Sequence, residues 1–218
     1  MTTARRFMTQ RPGEVYRFTG KAKYSRGTTP VVLQLQGRLA ELEATLAQRT
    51  AQLRALAEEV GTDPLTGLKN RRAVEAALTE AATNWQRYGH RSAVLLLDLN
   101  GFKAINDTHG HAAGDAVLQH VAGLLTQATR RTDVVARLGG DEFVVVLREA
   151  ETAAAIAKTR ELRSVIETTP LVWGSHVLTV GASVGVATLA EAPQAAAVLA
   201  LADARMYQFK QALRAARA

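Results

Sequence analysis

Two short apolar runs, Val134-Val135-Ala136 and Val144-Val145-Val146-Leu147, flank the stretch Arg137-Leu138-Gly139-Gly140-Asp141-Glu142-Phe143. Runs this short and this rich in β-branched residues form strands, and a glycine pair supplies the positive φ of a tight turn. The stretch therefore predicts an antiparallel hairpin with two carboxylates at its tip. Side chains alternate across a strand, so Asp141 and Glu142 should diverge rather than share a face. Acids on a glycine-floored turn suit a divalent cation together with phosphate, because the missing Cβ atoms let phosphate approach the backbone. An acidic surface turn would read the same way, so the rest of the chain has to decide.

A second run, Ala93-Val94-Leu95-Leu96-Leu97, is continuous rather than alternating, as in a strand buried on both faces, and it delivers Asp98 at its end. Between the two lies helix-forming sequence, with Ala116–Gln127 read as a helix that Asp115 can cap at its N-terminus. An Ala-rich helix ending near Tyr88 precedes the first strand, and another covers 151–168. Val177 to Leu189 reads as one strand, with Gly181 and Gly185 marking a bend or a close approach. A last helix runs from about Gln194 to Arg214.

Upstream, Val32, Leu35, Leu39, Leu42, Leu46, Arg49, Leu53, Leu56 and Val60 follow alternating steps of three and four. That is a heptad seam with one polar interruption at Arg49. A helix packed on its own domain would show a wider stripe over a shorter run. The seam predicts a parallel two-stranded coiled coil over residues 31–62 and hence a homodimer. Pro64 ends it, since proline lacks the amide hydrogen and disfavours helix at Asp63.

The 218 residues include no cysteine, so neither a disulfide framework nor a thiolate metal site is available. No run approaches a membrane span and no apolar leader follows the N-terminal arginines, which predicts a cytoplasmic protein. The net charge of +7 is unevenly placed. Residues 1–30 hold Arg5, Arg6, Arg11, Arg17, Lys21, Lys23 and Arg26 against Glu14 alone, a net of +6 that leaves +1 for the remainder. The body offers no broad cationic face for a nucleic acid. The aperiodic arm 1–30 reads as mostly disordered, and its aromatics leave room for docking on a protein partner or an acidic surface.

Gly139-Gly140-Asp141-Glu142-Phe143 is also the naming motif of the GGDEF family of diguanylate cyclases, and further segments resemble that family. Asp63-Pro64-Leu65-Thr66-Gly67-Leu68-Lys69-Asn70-Arg71-Arg72 is similar to its DxLTGLxNRR opening. Asp98-Leu99-Asn100-Gly101-Phe102-Lys103 and His109-Gly110-His111 with Gly114-Asp115 resemble its second signature, with Asn100 where a second Asp is more usual. Ala202-Asp203-Ala204-Arg205-Met206-Tyr207-Gln208-Phe209-Lys210 is similar to its closing ADxAMYxxK. The resemblance covers 63–218 and implies an α/β (α+β) palm-like nucleotide-cyclase fold, with a central, mainly antiparallel sheet flanked by helices.

The same resemblance implies an activity: two GTP condense to cyclic di-GMP with release of two pyrophosphates. It assigns Asp98, the Leu99 carbonyl, Asp141 and Glu142 to two Mg²⁺ (or Mn²⁺) ions per active site. It assigns Asn106 and Asp115 to the guanine edge; Lys103, Arg137, Lys210 and Arg214 to phosphate charge; and Gly139 and Gly140 to the floor under the substrate. The chemistry agrees for Asp115, since guanine offers N–H donors where adenine presents an acceptor. Asp141 or Glu142 takes the attacking hydroxyl's proton, and the residues do not choose between them. Arg130-Arg131-Thr132-Asp133 resembles the family's inhibitory product site through Arg130 and Asp133, with Arg160 and Arg163 both candidates for a second arginine. The alternative is a non-catalytic receptor for cyclic di-GMP or GTP, against which the intact acids and Lys210 argue.

Overall fold

The structure, a computed structural model, describes residues 28–216. The predicted arm lies, up to residue 27, outside them. By contacts the chain divides into one unit ending at Arg49 and a second comprising Thr50–Ala218. Helix α1 spans Thr28–Val60. Six seam leucines, Leu35, Leu39, Leu42, Leu46, Leu53 and Leu56, are 57–68% exposed, so no described residue buries them.

The second unit adds α2 (Arg71–Tyr88), β1 (Ser92–Asn100), α3 (Phe102–His109), α4 (His111–Gln127), β2 (Val134–Gly139), β3 (Glu142–Arg148) and α5 (Thr152–Thr168). It closes with β4 (Leu171–Trp173), β5 (His176–Leu178), β6 (Gly181–Thr188) and α6 (Ala195–Ala215). Four strands form one antiparallel sheet in the order β2-β3-β1-β6, and β4 and β5 form a separate hairpin. The expected α+β sandwich is present.

Strand β1 is buried from Ser92 to Leu99, as its unbroken apolar run predicted. Its odd positions Leu95, Leu97 and Leu99 pack with Phe143 and Val145 against α3, α4 and α5. Its even positions Val94 and Leu96 pack with Val144 and Val146 against α2 and α6. Period-two alternation thus decides which functional side chains meet which helix layer. At the β2–β3 turn Gly139 has φ 141° and Gly140 φ 52°, the conformations that made glycine necessary.

Segment 62–70 closes the outer edge of β2. The Lys69 amide donates to Val135 O, and the Arg137 amide donates back to Lys69 O. Pairing of this kind uses up the ladder groups of an edge strand. Asn70 then caps α2, accepting from the Ala73 amide at 3.0 Å.

Helix α6 lies on β6 through Gly185, where an added Cβ would fall 2.0 Å from Ala202 O and 2.3 Å from Met206 N. The close approach expected there is real. A clamp fixes the same pair: Arg205 donates to Val186 O and to Glu191, while the Thr188 amide and hydroxyl donate to the other Glu191 oxygen. The Arg205 hydrogen bond, with those from Thr188, holds the Glu191 carboxyl down to about 2, so it stays ionised over the ordinary pH range.

Three expectations about elements need correction. The helix read as Ala116–Gln127 begins at His111, capped by the Gly110 backbone, so Asp115 sits inside α4 and is not an N-cap. The run read as one strand from Val177 to Leu189 is two, β5 and β6, split at Thr179-Val180. Strand β4 was not anticipated; Val172 and Val177 are exposed, so the small hairpin has little buried face to write into the sequence.

Candidate active site

Antiparallel register sets Asp98, near the end of β1, opposite Glu142, the first residue of β3. Asp98 is buried, and both its oxygens accept from the Lys210 ammonium at 2.7 Å. Lys210 comes from the C-terminal part of α6, the helix that Gly185 and Arg205 seat on the sheet. The hairpin turn is stitched to β1 one residue further on, where the Leu99 amide donates to Asp141 O at 3.2 Å.

Asp141 lines a cavity of about 250 Å³ together with Leu99, Gly101, Lys103, Lys210 and Arg214. Glu142 instead lines a separate groove of about 580 Å³ between α2 and α6. The adjacent acids diverge, as alternation required. Lys210 and Arg214, one helical turn apart, reach the same cavity. Two strand ends, a turn and two helices thus contribute residues that the sequence separates by more than a hundred positions.

The donor set suits a hard cation: carboxylates and a backbone carbonyl, with no sulfur. The Lys210 ammonium already shows that a positive group is held at Asp98. Among the described residues, however, no three Asp, Glu or His side chains converge within reach of one ion. The expected cluster of Asp98, Asp141 and Glu142 is therefore not ready-made: Asp98 and Glu142 are register partners, while Asp141 sits in the turn and lines a different cavity from Glu142. A fit to Mg²⁺ is kept, since that ion takes one or two carboxylates and leaves its other positions to water and phosphate oxygens.

Arg137 does not point its guanidinium at the cavity. It donates twice to the Gly140 carbonyl, at 2.9 and 2.7 Å, and twice to Asp63, at 3.2 and 3.3 Å. Its place is behind the turn, which it braces against the start of the domain. Burial by itself would raise the Asp63 carboxyl, but hydrogen bonds from Thr66 and the Arg137 charge hold it below the usual value. Arg137 was expected to balance phosphate charge; only the fold shows Asp63 within its reach.

The two base-reading candidates lie on consecutive helices, α3 and α4. Asn106 lies on α3, while Asp115, exposed on α4, directly follows Gly114. A Cβ on Gly114 would sit 1.9 Å from Asn106 Oδ1 and 3.2 Å from Phe102 Cζ. Gly114 is what lets the Asn106 amide lie against α4, a role that its place in a motif did not reveal. Asn100, the departure from the family pattern, accepts from the Ser183 hydroxyl at 2.9 Å and so ties β1 to β6.

Asp133 accepts from the Arg130 amide at 3.0 Å and from the Arg148 amide at 3.1 Å, which fixes the loop before β2. The Arg130 side chain is exposed above it. Of the two candidate second arginines, Arg163 is occupied elsewhere: it donates to Ala182 O, pairs with Glu167 and lies 4.4 Å over the Phe209 ring. Arg160 is exposed on α5.

Comparison with known proteins identifies the family. The family model described as "Diguanylate cyclase, GGDEF domain" matches residues 60–216. The chain is 37% identical over 151 residues to the diguanylate cyclase DgcP of Pseudomonas aeruginosa, covering 69% of this chain and 22% of that protein. It is 32% identical over 182 residues to diguanylate cyclase A of Treponema denticola, covering 78% of this chain and 49% of that one. The chain thus spans half or less of the length of either relative. The crystal structure of the coiled coil and GGDEF domain of DgcB from Caulobacter crescentus, in complex with c-di-GMP, superposes with a TM-score of 0.67 at 27% identity, covering 82% of this chain and 95% of that one. With a family match running from the last residue of α1 to just past the end of α6, the chain belongs to the GGDEF family.

Proposed function

We propose that the protein is a diguanylate cyclase, condensing two GTP to cyclic di-GMP with loss of two pyrophosphates. The observation that carries this reading is the single cavity shared by Asp141, Leu99, Lys103, Lys210 and Arg214, with Lys210 joined to Asp98 at its edge. In each half-reaction a 3′-hydroxyl of one GTP attacks the α-phosphate of the other in line with the departing pyrophosphate. Phosphoryl chemistry of this type asks the protein mainly for position and charge.

The chain's own residues supply both. Lys103, Lys210 and Arg214 neutralise the triphosphate, Asp141 or Glu142 accepts the hydroxyl proton, and Arg137 keeps the Gly139-Gly140 turn open to the substrate. Mg²⁺ or Mn²⁺ ions, two per site, would be held by Asp98, the Leu99 carbonyl, Asp141 and Glu142, where they would lower the hydroxyl's pKa and offset charge on the leaving group. Since one domain binds one GTP, turnover needs two domains face to face. The exposed leucine seam of α1 supports a second copy of this chain as its occupant, and the related DgcB structure is described as containing a coiled coil.

Incubation with GTP and Mg²⁺ should yield cyclic di-GMP and pyrophosphate on chromatography; tight cyclic di-GMP binding without turnover would point to a receptor instead. In the same assay Arg130→Ala should let product accumulate well past the level at which the parent stalls. An unchanged plateau would remove the inhibitory role from Arg130 and Asp133.

Gly114→Ala tests the base-reading pair. The new methyl meets the movable end of the Asn106 side chain rather than backbone, so the fold should survive while the amide is pushed aside. We expect KM for GTP to rise about tenfold, in the range that a lost polar contact costs, and the preference for GTP over ATP to fall. An unchanged KM would take Asn106 out of the base site.

A further inference from the structure

We propose that Lys210 competes with the divalent cation for Asp98 when no nucleotide is bound, so that cation and triphosphate bind cooperatively. The proposal rests on the metal and phosphate roles given above. Both Asp98 oxygens take the same ammonium at 2.7 Å, and no other side chain donates to them among the described residues. Asp98 is only 8% exposed, so its charge is screened little by solvent and its one cationic partner matters.

A cation coordinated by Asp98 would bind a carboxylate whose two oxygens both already face the Lys210 ammonium. It would also stand a few ångström from a like charge, which is strongly unfavourable in a buried setting. The ammonium therefore has to leave as the ion arrives. Its destination is in the same cavity: Arg214 lies one turn further along α6 and Lys103 lies across the space, so three cations face the volume where a triphosphate would lie. A triphosphate draws Lys210 off Asp98 and vacates the carboxylate for the ion. Conversely, an ion at Asp98 frees Lys210 for phosphate. Linkage makes the two effects equal in size, and couplings of this kind usually amount to 5–150-fold.

A lysine that only held phosphate would predict something different. Its removal would weaken nucleotide binding and leave binding of the bare ion untouched. Competition predicts opposite signs for the two ligands.

The test uses the full chain with Mn²⁺ alone, read as free Mn²⁺ by electron paramagnetic resonance, and then with GTP in EDTA. Lys210→Met should bind Mn²⁺ roughly tenfold more tightly than the parent, within the coupling range above, and should bind metal-free GTP more weakly. Lys210→Gln, which keeps a neutral donor for Asp98 and so spares folding, should shift both affinities in the same directions. Asp98→Asn should lose Mn²⁺ binding. If Mn²⁺ binding survives Asp98→Asn at full strength, the metal site itself has been misplaced. If Asp98→Asn abolishes Mn²⁺ binding but both Lys210 variants bind Mn²⁺ no better than the parent, the competition is overturned and the metal site stands.

Discussion

Lysines at Leu42 and Leu46 together should leave the chain a folded monomer whose cyclic di-GMP synthesis falls to background at low micromolar concentration. Both leucines are more than 60% exposed, so their loss removes little buried surface among the described residues. In a two-stranded coil each would be buried twice. At about 1.5–3 kcal/mol per leucine, four lost burials amount to some 6 kcal/mol or more per dimer. That weakens association by roughly four orders of magnitude, before charge repulsion along the seam is added. Sedimentation should show the mass halved, and residual activity should climb steeply with protein concentration, since the reaction then waits on a bimolecular encounter. Full specific activity from a species of monomer mass would show that α1 is not what brings two domains together.

Gly185→Ala should produce the largest loss of stability of any single methyl added to the domain. The new carbon would lie 2.0 Å from Ala202 O, 2.3 Å from Met206 N and 2.9 Å from Met206 Cα. All three are helix backbone, which cannot swing aside as a side chain can. Either α6 lifts from β6 or β6 bends, and overpacking on this scale costs about 3 kcal/mol or more. For a domain this size that lowers Tm by roughly 6–12 °C. Activity should fall with it, because α6 carries Lys210 and Arg214 into the cavity. A Tm within about 2 °C of the parent would mean that helix and strand are not in contact at this glycine. The contrast with Gly114 is instructive: there the obstructed atom is the end of a side chain, so substitution costs recognition before it costs stability.

The central strands were legible because three independent signals coincide in them. The β-branched runs give strand, Gly139 and Gly140 give the turn, and the continuous run 93–97 gives burial on both faces. Legibility failed where the deciding contact is distant or the element too small. The α3–α4 break falls at Gly110, which caps with its backbone and leaves no side-chain signal. The β4–β5 hairpin has three-residue strands, and only the Gly174-Ser175 pair could have betrayed it. Within the site, the motif named the charged residues but not their partners. Lys210 and Asp98 stand 112 positions apart, and Arg137 and Asp63 stand 74 apart. A local pattern cannot say that one cation rests on an acid while the other braces a turn.

With leucine at 95, 96 and 97, strand β1 is nearly blind to its own orientation: threaded one position out of step, it would still present grease to both helix layers. Asp98 removes that ambiguity, because the slipped strand would drive a carboxylate in among Phe143, Leu125 and their neighbours with no ammonium to meet it. The acid proposed to hold the cation thus doubles as the notch on the key. An apolar residue in its place would spoil more than turnover, for it would let the central strand lie either way up.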